Sequence, residues 1–288
     1  MKVARSAEQL GRQERAVAIG TFDGVHLGHQ RVIAGAVETE LVPTVVTFDP
    51  HPRIALGYGV ELISTLERRL ELFEARGVEE TLVVHFDHEL QQREPEEFAR
   101  DVLGAIGAKI VVAGETFRFG HRRRGDLELL RELGFDARAV PFLEGVSSTE
   151  IRRLLHGGDM ATAARLLGRP PEVEGTVVIG DERGGTLGFP TANLAVEPNL
   201  LVAAFGIYAG SALGTRAAIS IGTNPHYGGL ERKIEAFLLD FEGDLYGRRL
   251  VVELWQRLRD EQAFESEQAL IAQIARDVEA TRAATRPG

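Results

Sequence analysis

The chain has 288 residues, 44% of them hydrophobic, with a formal net charge of −10. At about 150 residues per domain this length suggests two domains, and the apolar share is too high for a disordered chain. There is no cysteine, which excludes disulfides and thiolate zinc sites. No apolar run approaches the roughly 18 residues of a membrane span, and the opening MKVARSAEQLGRQERAVAIG lacks the apolar stretch of a secretory signal. The acidic balance argues against bulk attraction to nucleic acid or anionic lipid. The expectation is a cytoplasmic protein without membrane, nucleic-acid or obligate protein partners. Lysine occurs only at Lys2, Lys109 and Lys233, and one arginine-rich run, HRRRG at 121–125, reads as a solvated turn or a local anion contact.

In chain order, AVAIG (16–20), VPTVVTF (42–48), TLVVHF (81–86), KIVVAG (109–114) and ARAVPF (137–142) predict buried strands. Between them, segments 28–40, 65–77, 94–107 and 126–134 carry apolar residues at i, i+3, i+4 spacing, the pattern of amphipathic helices. Gly77, Gly107 and Gly134 stand where helix ends favour glycine. This alternation predicts a Rossmann-like parallel sheet. A helix over STEIRRLLHGGDMATAARLLG follows and is stopped by Pro170 and Pro171. From Glu172 the chain reads as strands with Gly-rich turns, the spacing of a small antiparallel β-barrel or sandwich. Segment 266–283 predicts a C-terminal helix capped by Ser266. The boundary is expected between domains 1–168 and 169–288.

Two stretches carry chemistry. In GTFDGVHLGH (20–29), His26 and His29 follow the first strand and straddle the start of a helix, at the strand end where open α/β sheets bind ligands. Metal binding, acid–base work and phosphate handling are all open to such a pair. Zinc is disfavoured, because no cysteine or suitably spaced third ligand is present. A helix N-terminus with two imidazoles suits phosphate and can stabilise in-line displacement at phosphorus. In RGGTLGFPTANL (183–194), Gly184, Gly185 and Gly188 let backbone N–H groups approach an anion. Thr191 and Asn193, two apart on an extended segment, offer hard oxygen ligands suited to Mg²⁺. A hairpin whose Thr and Asn satisfy the turn backbone is the structural alternative.

The string GTFDGVHLGHQ, with TFDPHP (47–52), GETFRFG (114–120), SSTEIRRLL (147–155), GTLGFPTAN (185–193) and RKIEAFLLDFEGDLYG (232–247), resembles the bifunctional riboflavin kinase/FMN adenylyltransferase family of bacteria. The resemblance spans essentially the whole chain in order. It implies phosphorylation of riboflavin by ATP to FMN in the C-terminal domain and adenylylation of FMN to FAD plus pyrophosphate in the N-terminal one. It further implies ATP contacts from Gly20, Phe22, His26 and His29, with His29 stabilising the attacked α-phosphate. Ser148, Thr149 and Arg152 would bind the triphosphate, and Asp49, His51 and Thr116 would lie near nucleotide or flavin. In the second domain it implies kinase ATP binding by Gly184, Gly185 and Gly188, Mg²⁺–ATP on Thr191 and Asn193, Glu235 as general base, and Arg259 beside flavin. Trp255 reads as packing rather than as a flavin stacker. The chain departs from the family at Thr116, where Asn or Asp is usual, at Gly185, usually Arg, and at His226-Tyr227, usually Thr-Phe. A weakened Thr116 site would leave a kinase alone, and a non-catalytic flavin sensor is the remaining alternative.

Overall fold

The computed structural model describes residues 1–180, 188–224 and 231–288. The chain forms two compact units, Met1–Ser148 and Thr149–Gly288.

The first unit is built on β1 (Lys2–Ala4), β2 (Arg15–Ile19), β3 (Val42–Asp49), β4 (Glu80–His85), β5 (Ala108–Gly114) and β6 (Asp136–Val140). They form one parallel sheet in the order β1-β4-β3-β2-β5-β6. Both faces of this sheet are covered, as parallel sheets require. Along β2 the residues alternate between two cores: Val17 and Ile19 meet Val46, Phe48, Leu82 and Phe98, whereas Ala16 and Ala18 meet Ile33, Leu72 and Phe73. Each fully buried Leu, Ile or Phe contributes about 1.5–3 kcal/mol by leaving water. At the amino ends of the strands the buried Arg15 pairs with Glu80 at 2.7 Å and donates to the Leu10 carbonyl.

The five predicted strands of this unit are present. β1 was not predicted, because three residues at a sheet edge are too short to show alternation. The segment predicted as one helix over 94–107 is a short α-helix, Pro95–Phe98, that widens into a π turn, Ala99–Gly104. The helix predicted over STEIRRLLHGGDMATAARLLG is two helices, Ser148–Gly157 and Met160–Leu167. Gly158 takes φ +77° between them, and Asp159 restarts the second by accepting from the Thr162 N–H at 2.9 Å.

The second unit is a closed barrel of β7 (Glu172–Val178), β8 (Ala192–Ala195), β9 (Gly206–Ala212), β10 (Thr215–Asn224), β11 (Glu231–Leu238) and β12 (Arg249–Arg259), in the order β10-β11-β8-β7-β12-β9, with every pairing antiparallel. On β11 Ile234, Ala236 and Leu238 are buried while Lys233, Glu235 and Phe237 lie on the other face, the period of two that a closed sheet imposes. From Thr149 onward the helical pair Ser148–Gly157 and Met160–Leu167 belongs to this unit; the Ala204 N–H donates to the Leu155 carbonyl at 3.0 Å. The C-terminal helix is Glu267–Ala283, and Ser266 caps it by accepting from the Ala269 N–H at 3.2 Å. Trp255 is buried against Ala209 and Ala284 and donates to Glu253 at 2.7 Å, a packing role.

Candidate active sites

Strands β3, β2 and β5 are parallel neighbours, so the loops at their carboxyl ends share one edge of the sheet. This brings together residues 20–29 after β2, Asp49 and His51 at the end of β3, and Thr116 in the turn after β5. His26 is the N-cap of the helix Leu27–Val37. Its Nδ1 accepts from the His29 N–H at 3.3 Å, which in a neutral ring leaves the proton on Nε2. The two imidazoles stack with centroids 3.5 Å apart, and the Phe22 ring stands edge-on to His29 at 5.4 Å. His29 Nδ1 is buried and makes no hydrogen bond.

The loop is held from three sides. Asp23, buried, accepts from the Ile63 and Ser64 N–H groups at 2.9 and 3.2 Å. The Gly24 N–H donates to Ser64 Oγ at 3.0 Å, and Gly24 itself needs φ +80° where a Cβ would lie 2.8 Å from Ile63. Ser148, the first residue of its helix, donates its hydroxyl to the Asp23 carbonyl at 3.0 Å. Thr149 and Arg152 follow on the same helix. His51 is buried and caps the short helix Pro52–Ala55, its Nδ1 accepting from the Arg53 N–H at 3.1 Å. The Asp49 carboxylate lies 3.6 Å from Arg5, and Thr116 is exposed.

Burial holds the His29 imidazole well below its ordinary value of 6.5, with the charges of His26 and Arg69 acting in the same direction. Below about pH 6.5 the unfolded chain therefore binds a proton at His29 that the native chain refuses. The stability contribution of the neutral ring is complete above that pH and is lost as the pH falls from there towards the native pKa. Thermal denaturation from about pH 7 to about pH 5 should show a falling Tm, and His29→Gln should remove part of the fall; an unaltered slope in the variant contradicts the assignment.

In the barrel, Glu235 on β11 pairs directly with Asn193 on β8. Residues opposite one another share a face, so the carboxylate and the amide stand side by side, with Thr191 two residues before Asn193. Lys233, on the same face, holds Glu235 Oε1 at 3.1 Å. Asn193 is buried and its Oδ1 accepts no hydrogen bond. A Cβ at Gly180 would lie 2.2 Å from the Asn193 amide nitrogen, so only glycine leaves that side chain its space. Phe189 stands edge-on to Phe237 at 5.5 Å, and Gly188 takes φ +86°. Arg259 is bridged to Asp277 at 2.7 Å and donates to the Asp260 carbonyl at 2.9 Å, which ties β12 to the C-terminal helix. Gly184, Gly185 and the His226-Tyr227 pair lie outside the described residues.

Two residues that the sequence did not single out belong to these surroundings. Asp23 reads in sequence as an ordinary turn residue, and Arg69 as one charge among several on an amphipathic helix. Nothing local distinguished them, since the Asp23 contacts lie 40 residues on and the Arg69 contact 48 residues back.

An α/β unit with an imidazole pair at a strand end, followed by a closed barrel with a carboxylate beside an unsatisfied amide oxygen, defines a two-domain transferase acting on phosphorus. A family model described as FAD synthetase matches residues 9–150, and one described as riboflavin kinase matches residues 167–285. Bifunctional riboflavin kinase/FMN adenylyltransferases from Escherichia coli K12 and Listeria monocytogenes are 37% and 35% identical to this chain; the alignments cover 96% of both chains for the first, and 93% of this chain and 92% of the relative for the second. A solved structure described as a macrolide-efflux protein from Streptococcus pneumoniae superposes with a TM-score of 0.85 at 31% identity, covering 97% of this chain and 98% of that one. The chain belongs to the bifunctional riboflavin kinase/FMN adenylyltransferase family. It phosphorylates riboflavin to FMN and adenylylates FMN to FAD. Both domain models match, which sets aside the kinase-only and sensor alternatives.

Proposed function

We propose that the two reactions use the two clusters described above, with catalytic modules bounded at 1–168 and 169–288. The observation that carries this reading is a pair of buried atoms without hydrogen bonds, His29 Nδ1 in the first cluster and Asn193 Oδ1 in the second. Buried polar groups normally find partners, so each marks a place kept for a ligand atom.

In the adenylyl-transfer site, Gly20, Phe22, His26 and His29 form the floor for ATP. The neutral His29 ring and the His26 Nε2–H act as hydrogen-bond donors towards the α-phosphate as charge accumulates there. Ser148, Thr149 and Arg152 receive the β- and γ-phosphates, for which a guanidinium fork and hydroxyls on the first helical turn are suited. The FMN phosphate attacks the α-phosphorus, the new P–O bond forms, and pyrophosphate leaves. Asp49, His51 and Thr116 border this site; Thr116 can give the flavin a hydroxyl contact in place of a longer amide or carboxylate.

In the kinase site Glu235 takes the proton from the riboflavin 5′-hydroxyl as its oxygen bonds to the γ-phosphorus and ADP departs. Of the glycines expected at the phosphate approach, Gly188, at φ +86°, offers its backbone there, and Gly184 and Gly185 lie outside the described residues. Thr191 and Asn193 would hold Mg²⁺: both are hard oxygen donors, and the free Oδ1 beside Gly180 fits such an ion. Bound there, Mg²⁺ supplies charge neutralisation to the transferring phosphate. Arg259 offers flavin only the N–H groups left over from its Asp277 bridge. Among the described residues no helix is long and apolar enough to cross a membrane, and nothing in either cluster supports the efflux role named for the pneumococcal structure. We place the enzyme in the cytoplasm, where ATP and flavin are supplied.

The reading is tested by incubating the protein with riboflavin, ATP and Mg²⁺ and separating the flavins by chromatography. Asn193→Ala should block FMN formation and leave FMN-to-FAD conversion intact; unimpaired FMN formation refutes the metal assignment. Gly180→Ala should act in the same direction by displacing Asn193, with a loss of about 10²-fold in kcat for the kinase step; full kinase activity would show that the amide need not be held there.

A further inference from the structure

The side chain of Arg69 is among the largest fully buried ones, at 1% exposure. It projects from the helix Leu66–Glu74 and donates to the Thr21 carbonyl at 2.7 Å. Thr47 Oγ1 donates to the same carbonyl at 3.2 Å and lies 3.4 Å from the guanidinium. Arg69 Nε is buried without a partner. Burial pulls the guanidinium below its ordinary value while Asp23 and Asp49 oppose that shift. A cation is costly to bury unless its donors are used, and here one acceptor is a loop carbonyl five residues before His26.

We propose that Arg69 is a positioning residue for adenylyl transfer, fixing the strand-end loop through the Thr21 carbonyl and thereby the orientation of the His26–His29 pair. The proposal rests on the role given above to His29. Thr21 opens the turn that carries Phe22, Asp23 and Gly24, and Phe22 in turn braces the His29 ring. Release of the carbonyl frees the turn at its root. The guanidinium has a second effect, which is electrostatic. His29 is faced by His26 at its own helix start, by the apolar Phe22 ring from the loop and by Arg69 from the neighbouring helix, while Asp23 and Asp49 face Arg69. Burial is the main cause of the lowered His29 value, and the fixed positive charge adds to it and to His26 in opposing protonation, so the ring meets ATP neutral.

The test follows ATP-dependent conversion of FMN to FAD across pH in the full-length protein, with riboflavin phosphorylation as the control for folding. Arg69→Met should lower kcat for FAD formation about 10²-fold, leave the kinase rate unchanged, and move the acid limb of the profile up towards 6.5, the ordinary imidazole value. Arg69→Lys restores the charge without the planar fork. Its acid limb should stay at the wild-type position while kcat falls about tenfold. A Met variant with wild-type rate and acid limb overturns the proposal. Should the Met variant lose kinase activity as well, through misfolding, the Lys variant decides, and wild-type kcat in that variant overturns it. His29→Ala, measured in parallel, separates the two ideas. If it still forms FAD the role of His29 fails; if it is inactive while Arg69→Met is silent, only the inference about Arg69 fails.

Discussion

Glu235→Gln should abolish FMN formation from riboflavin, with kcat falling by about 10²–10⁴, the usual contribution of a positioned general base. The amide has the shape of the carboxylate but cannot take the 5′-hydroxyl proton. Glu235 lies on the outer face of β11 and is half-buried, so no core packing is disturbed. The lost ion pair with Lys233 joins two side chains with 27% and 31% exposure; such partly solvated pairs contribute about 0–1 kcal/mol. The melting temperature should therefore stay near that of the wild type. FMN-to-FAD conversion should persist, because the imidazole pair belongs to the other compact unit. Chromatography of flavins after incubation with riboflavin, and separately with FMN, checks both statements. Loss of both conversions would show that the two chemistries are not separate.

His29→Ala should give the reverse pattern. Removal of one preorganised donor from a phosphate transition state costs about 10²–10³ in kcat, and FAD should fail to accumulate while FMN still forms from riboflavin. Truncation also removes the stacking partner of His26 and the edge contact of Phe22. His29→Gln is therefore the second variant: it keeps a donor and most of the volume, and should retain more activity than alanine. If both variants formed FAD at the wild-type rate, the contact of His29 with the nucleotide would be refuted.

The sequence made the imidazole pair visible for a physical reason. A buried strand, a glycine-rich turn and a helix start are all short-range patterns, and together they fix where His26 and His29 must lie. The period of two along RKIEAFL is a short-range pattern of the same kind, and it sets Glu235 on the face opposite the buried Ile234 and Ala236. What stayed hidden was long-range. The approach of Gly180 to Asn193 exists only once β7 and β8 pair, and the Arg259–Asp277 bridge joins a strand to a helix 18 residues on. Arg69 was hidden by its neighbours: in LERRLELFE it stands beside Arg68, and only packing reveals that Arg68 pairs with Glu71 at the surface while Arg69 turns inward. The split of the long predicted helix at Gly158 was concealed by apolar periodicity that continues on both sides of it.

Among the described residues the ladder between β8 and β11 pairs Asn193 with Glu235 and Ala192 with Ala236. That short ladder works as a jig. The relative placement of carboxylate and amide is dictated by hydrogen-bonded backbone rather than by flexible side chains, so it survives changes of length in the connections at either end. Slippage by a single residue would swing the acid into the barrel interior and bring Ala236 onto the outer face beside Asn193. Inserting one residue between Ile234 and Glu235 is thus expected to silence phosphorylation even though every chemical group remains present.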